Sequence, residues 1–287
     1  MSLSIFTSGS SMSSINALNK SNSMLSTAME RLGTGKRINS AADDAAGMQI
    51  ASRLQGQSNG MAVAQRNISD ATAMLQTAEG AFDEVSNIMY RMKDLATQAA
   101  NDTNSSKDRE ALDSEFQELN KELTNIMGNT TYGGEKLLTG GKLENTMNFQ
   151  IGASSQENMS VNLSAEMTNV NDSLTNASGG LSSITLKANA SGAAPDYATA
   201  ITNIESALEN VGTVRSSLGA NINRLGHTAA NLANMKDNTE LALGNIQDAD
   251  FASEASSMTR NQMLAQTSMS MLKQSNSMSG MVMSLLG

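Results

Sequence analysis

From Met61 the apolar residues Met61, Ala64, Ile68, Ala71, Leu75, Ala78 and Phe82 fall at alternating steps of three and four, and the stripe continues unbroken to Ala99. This spacing keeps one helix face apolar over five or more heptads. At ~1.5 Å per residue such a helix is roughly 60 Å long, which predicts a rod. A second stripe, Met74, Ala81, Ile88 and Leu95, repeats every seventh residue beside the first, so apolar neighbours are expected on two sides. After a polar link at 101–106, Leu112, Phe116, Leu119, Leu123 and Ile126 predict a return helix capped at Gly128. A third long stripe runs from Tyr197 through Ile204, Val211, Leu218 and Leu225 to Ile246. Arg215 and Lys236 interrupt it, and Gly212, Gly219 and Gly226 leave room for close helix approach.

Between the second and third stripes the period changes. Met147, Phe149 and Ile151 alternate with polar residues, as do Met159, Val161 and Leu163, which predicts a β-hairpin near 145–165. Residues 171–194 are rich in Ser, Asn, Ala and Gly without a clear period, and read as a surface segment. Pro195, the single proline, stands where the next helix begins.

Both chain ends are helical by the same criterion. Residues 1–32 carry Ile15, Leu18, Asn22, Leu25, Met29 and Leu32, while 251–287 carry Phe251, Ala255, Met258, Gln262, Ala265, Met269 and Leu272. Each stripe has one polar residue, as coiled coils use to fix register, so the ends are expected to pair with each other or with copies of themselves. An offset stripe on the last helix, Leu264, Met271, Met278, Val282 and Leu285, asks for burial on a further face. Ile15, Leu18, Leu25, Met29 and Leu32, with Met258, Met269, Leu272 and the offset stripe, are therefore the candidate self-assembly residues. Both seams lose phase at their inner edges, 33–46 and 246–250.

The fold class expected is mainly α: a long-helix rod with a terminal coiled coil, a small β-hairpin and discontinuous domains. Residues 1–45 and 246–287, including the joint segment 33–46, form the terminal domain; 46–245 form the rod, with no large outer domain. The ends each carry a net charge of +1, leaving −11 of the total −9 on residues 33–250. The middle is thus solvated and the ends are built to be covered. Two isolated helices cannot bury that much apolar surface, so the ends are expected to order when other copies complete the core. Eleven of the 21 methionines lie in these terminal segments, where flexible thioethers suit imperfect cavities.

Composition removes most chemistry. With no Cys and one His, His227, neither thiolate catalysis nor a multi-histidine metal site is available, and no catalytic, cofactor-binding or metal residue is assigned. The fragment GTGK (33–36) lacks the spacing of a phosphate loop. Asp43 with Asp44, and Asp248 with Asp250, lack the glycine and distal glutamate of a calcium loop and read as helix-capping or solvated acids. The acidic balance excludes a nucleic-acid partner, and no apolar run is long enough for a membrane span. The first residues lack the basic and apolar regions of a secretory signal, so export is expected without a cleaved signal peptide.

The residues also carry a resemblance. LSTAMERLGTGKRINSAADDAAGMQIASRL (25–54), RNISDATAMLQTAEGAFDEV (66–85) and LATQAANDTNS (95–105) resemble the N-terminal part of bacterial flagellins, as do GGEKLL (133–138) and FQIGA (149–153). RSSLGANINRL (215–225), IQDADFASE (246–254) and the closing SLLG are similar to the C-terminal part. Gly33 to Lys36, and Gly244 with Asn245, depart from the common pattern at the joint. The resemblance implies a short flagellin, with the lateral type among the forms open to it: an extracellular subunit that polymerises with many copies of itself into the flagellar filament for motility and leaves the cell by type III export. It also implies an export chaperone on the C-terminal helix, and hook-associated junction and cap proteins. Arg91, Leu95 and Glu115 match positions through which a Toll-like receptor of a host contacts flagellins, with Leu95 in core packing as the plainer account. Exposed Ser or Thr within 171–191 is the natural place for O-linked sugars. The alternatives are a hook-filament junction protein, or a secreted coiled-coil adhesin or effector.

Overall fold

The computed structural model describes residues 9–175, 180–187 and 195–286, with side chains at all of these but 10, 279, 280 and 282–286. Among the described residues the protein is mainly α-helical, with six helices and two short antiparallel strand pairs. Helices α1 (Gly9–Thr34), α2 (Ala45–Ala99) and α3 (Ser106–Asn129) precede the strands β1 (Thr131–Tyr132), β2 (Glu135–Lys136), β3 (Met147–Gln150) and β4 (Asn158–Val161). Helices α4 (Ser164–Thr175), α5 (Tyr197–Gln247) and α6 (Phe251–Leu286) follow. The chain divides into two compact units, Asn59–Lys236 and the combined ends Met1–Ser58 with Asp237–Gly287.

In the central unit every residue of the α2 stripe from Met61 to Ala99 is buried, and Phe82, Met89 and Met92 are wholly enclosed. The second stripe is also taken into the core, with Met74, Ile88 and Leu95 buried and Ala81 packed against them. On α5 the seam is formed by Ile204, Val211, Leu218, Leu225 and Leu232 together with Ala200, Ala207 and Val214. Arg215 is therefore one position off the seam. Its guanidinium meets Glu79 at 2.9 Å and Asp83 at 2.9 Å on α2, and this pairing, with Glu79 foremost, raises its pKa. A Cβ at Gly212, Gly219 or Gly226 would meet nothing within 4 Å, so these glycines mediate no close approach within the chain.

Helix α3 begins with a capping box in which Ser105 and Asp108 satisfy each other's backbone N–H groups. The two hydrogen bonds from Ser105 hold the Asp108 carboxyl below its ordinary pKa. The helix does not stop at Gly128, which is helical; Thr130 ends it, its N–H and hydroxyl both donating to the Ile126 carbonyl. The β1–β2 turn places Gly133 and Gly134 at φ 62° and 86°, the left-handed pair that a tight hairpin turn requires. β3 and β4 pair with Met147 opposite Val161 and Phe149 opposite Met159, as the alternation predicts.

The segment after β4 differs from expectation. α4 buries Met167, Val170 and Leu174, and Leu181, Ile184 and Leu186 are also buried, so this stretch is not merely a surface segment. The cause is a non-local anchor. Asp113 on α3, itself 2% exposed, accepts the Leu186 N–H at 2.7 Å, and Gln117 donates to the Ile184 carbonyl at 2.8 Å. Lys187 stands 3.4 Å from the second Asp113 oxygen. Residues 176–179 and 188–194, including Asn189, lie outside the described residues.

Candidate assembly surface

The terminal unit is organised around α1 and α6. They run antiparallel, with Ser11 donating to Asn276 at one end and Arg31 3.3 Å from Glu254 at the other. The joint strands are stitched by main chain: Gly35 leaves α1 at φ 71° and accepts from Ala249 N–H, and Arg37 N–H donates to the Gln247 carbonyl. The Arg37 guanidinium adds a bond to the Ile246 carbonyl, and Lys36 bridges Asp248.

Three of the four acids of the joint accept backbone hydrogen bonds. Asp44 accepts the Gly47 N–H at the start of α2, and Asp250 accepts from Ala252 and Ser253 at the start of α6. Asp43 gathers the N–H groups of Ser40 and Asn39 and the Ser40 hydroxyl. Those bonds, the Ser40 N–H foremost, hold its carboxyl below the ordinary aspartate range. Among the described residues no group of three or more acids and histidines could hold a metal ion, and His227 is exposed on α5.

The packing of α1 against α6 is offset from the apolar stripes, which only partly enter the seam. The buried positions are Ser21 and Ala28 on α1 and Asn261 and Ala265 on α6. Leu18, Leu25, Leu32, Met258 and Leu272 border this seam half-buried. Ile15, Met29, Leu264, Met269, Met271 and Met278 are exposed, as are Met12, Met24 and Met263. The polar seam residues are thus Ser21 and Asn261, each one position before the expected Asn22 and Gln262, which face solvent. One residue rotates a helix face by ~100°. Small side chains let the two backbones approach, and that approach turns the bulky residues outward. The Val282 and Leu285 side chains lie outside those described.

In the central unit Arg91 and Glu115 form an exposed ion pair at 2.7 Å, whereas Leu95 is 1% exposed within the core. Lys93 pairs with Glu205 beside them at 2.8 Å, an interaction that raises the lysine pKa.

Bulky apolar side chains thus stand exposed on two helices whose mutual seam is small and polar, an arrangement that holds no catalytic cluster among the described residues. Comparison with known proteins gives the family. Residues 5–142 match the bacterial flagellin N-terminal helical region, and 201–286 match the bacterial flagellin C-terminal helical region. The chain is 40% identical over 259 residues to a flagellin of Halalkalibacterium halodurans, covering 90% of each protein. It is 33% identical to Flagellin A of Vibrio anguillarum across the whole of both, in an alignment of 380 residues against the 287 present here. The crystal structure of Bacillus cereus flagellin is similar with TM-score 0.46 and 32% identity, over 58% of this chain and 88% of that one. The chain belongs to the flagellin family: it is a structural, non-enzymatic subunit of the extracellular flagellar filament. No helix among the described residues is long and apolar enough to cross a membrane.

Proposed function

We propose that subunits join through the outward faces of α1 and α6, each copy covering apolar side chains that its neighbour leaves in water. The observation that carries this reading is the offset seam: Ala28 and Ala265 are buried within the chain while Ile15, Met29, Leu264 and Met271 are exposed. Apolar area of this kind gains its full stabilisation only when a further copy removes it from water. In this reading residues 1–45 and 246–287 are the joining domain and order fully on assembly, and 46–245 form the rod domain. The chain is exported unfolded, with a chaperone covering α6 from about Met258. Junction and cap proteins meet the same faces at the two ends of the filament. A host Toll-like receptor takes the Arg91–Glu115 pair, with Leu95 supporting that surface from beneath.

Seeded polymerisation of the purified chain tests the central claim. Leu264 and Met271 are 47% and 60% exposed, so covering each gains about half of the ~1.5–3 kcal/mol of full burial. The double variant Leu264→Ser, Met271→Ser is expected to raise the critical concentration by roughly tenfold or more. Unaltered filament yield by electron microscopy at the parental concentration overturns the reading.

A further inference from the structure

The methionines of this chain divide sharply by position. On α1, Met12, Met24 and Met29 are 47–59% exposed, and on α6, Met263, Met269, Met271, Met278 and Met281 are 49–60% exposed. In the central unit Met89, Met92 and Met167 are fully enclosed, and Met61, Met127 and Met159 nearly so. A thioether in water is open to two-electron oxidants, and one packed in a core is shielded. The exposed set belongs to the faces proposed above as the joining surface. The seam that pairs α1 with α6 has no sulfur at its buried positions, Ser21, Ala28, Asn261 and Ala265.

We infer that the exposed methionines of α1 and α6 are a modification site for hydroperoxides, and that their conversion to sulfoxides reversibly withdraws the subunit from assembly. The inference rests on the proposed joining surface. In each step the sulfur lone pair attacks the terminal oxygen of the hydroperoxide, the O–O bond breaks and an S–O bond forms. The sulfur is oxidised by two electrons and the peroxide reduced; the departing oxygen takes up the proton and leaves as water or an alcohol. The product is a polar, hydrogen-bond-accepting sulfoxide where an apolar contact was needed, so burying it against another copy carries a desolvation cost. The central unit keeps its core because the methionines packed there are out of reach; Met235, 38% exposed, lies outside that core. A subunit already in a filament is shielded by its neighbours, so the site acts on subunits before they join.

The test uses the full-length chain, oxidised with hydrogen peroxide and mapped by peptide mass spectrometry. Sulfoxide is expected at Met12, Met24, Met29, Met263 and Met271 well before Met89, Met92 or Met167; equal rates overturn the inference. The melting transition of the central unit should be unchanged while the critical concentration for seeded assembly rises by roughly tenfold or more. Both should return to the starting state after treatment with the two stereospecific methionine sulfoxide reductases. Oxidised protein that assembles at the parental concentration, or a loss that reduction does not reverse, overturns it. Replacing the eight exposed methionines of α1 and α6, Met281 included, by leucine keeps the faces apolar without exposed sulfur, and assembly of that variant should ignore peroxide. If it assembles but remains peroxide-sensitive, the modification site fails and the joining surface stands. If the Leu264→Ser, Met271→Ser variant assembles normally, the joining surface itself fails.

Discussion

Asp113→Ala removes the one carboxylate that holds the segment at 180–187 against α3. Asp113 is 2% exposed and accepts the Leu186 N–H at 2.7 Å, while Leu186 is itself fully buried. The variant leaves that N–H without its acceptor, which costs about 1–3 kcal/mol. Lys187 is 54% exposed, so the loss of its ion pair adds less than about 1 kcal/mol. A total of about 1–4 kcal/mol corresponds to a fall of roughly 2–16 °C in the melting temperature of a unit this size. Thermal unfolding of the full chain followed by circular dichroism reads the shift, and hydrogen exchange at the Leu186 amide reads its place. Asp113→Asn separates the two contributions: its side-chain oxygen still accepts from Leu186, so only the charge is lost and the cost should stay below about 1 kcal/mol. The reasoning is refuted if Asp113→Ala melts with the parent. It is also refuted if the asparagine variant is as unstable as the alanine, because charge rather than the acceptor would then dominate.

Ser105→Ala should cost about 0.5–2 kcal/mol through loss of the α3 cap, seen as faster amide exchange in the first turn of that helix. Asp43, Asp108 and Asp196 all have carboxyls held lower in the folded chain than the ordinary value of 3.8, the last chiefly through the Thr199 hydroxyl. On acidification the unfolded chain therefore binds protons first, so the stability these groups add is complete above pH 3.8 and is lost as pH falls through their lower folded values. Urea titrations stepped downward in pH should show that loss, and Asp108→Asn should flatten its share of it. Gly134→Val forces a β-branched residue to φ 86° and should loosen the β1–β2 turn, measured as lost protection of the Leu137 amide that donates to Thr130.

The α2 stripe was legible residue by residue because its large apolar side chains all point into one core. The ends were legible as helices but not in phase. Apolar bulk marks the face to be covered, and here that face only borders the α1–α6 seam, whose buried positions among the described residues are Ser21, Ala28, Asn261 and Ala265. α3 shows the same effect: Asp113 and Asn120 lie buried beside Phe116 and Leu123, at positions that an apolar pattern assigns to solvent. The burial of Leu181, Ile184 and Leu186 depends on a carboxylate about seventy residues earlier, and no local period carries such information. Gly128 was misread as a stop because glycine tolerates a helix interior as well as a cap. The joint acids were legible as caps because Asp44 and Asp250 each stand one residue before a helix.

The crossing between Gly35–Arg37 and Ile246–Ala249 is fastened by peptide groups, with Gly35 the residue whose backbone angle is special. A clasp of that kind is nearly blind to sequence. Side chains at positions 33, 36 and 245 can change while the two paired segments keep their spacing, whereas Thr34 bonds the turn and a Cβ at Gly244 would meet Asp248 at 2.8 Å. Diversification can therefore proceed at the hinge of the subunit without resetting the geometry on which every neighbour relies.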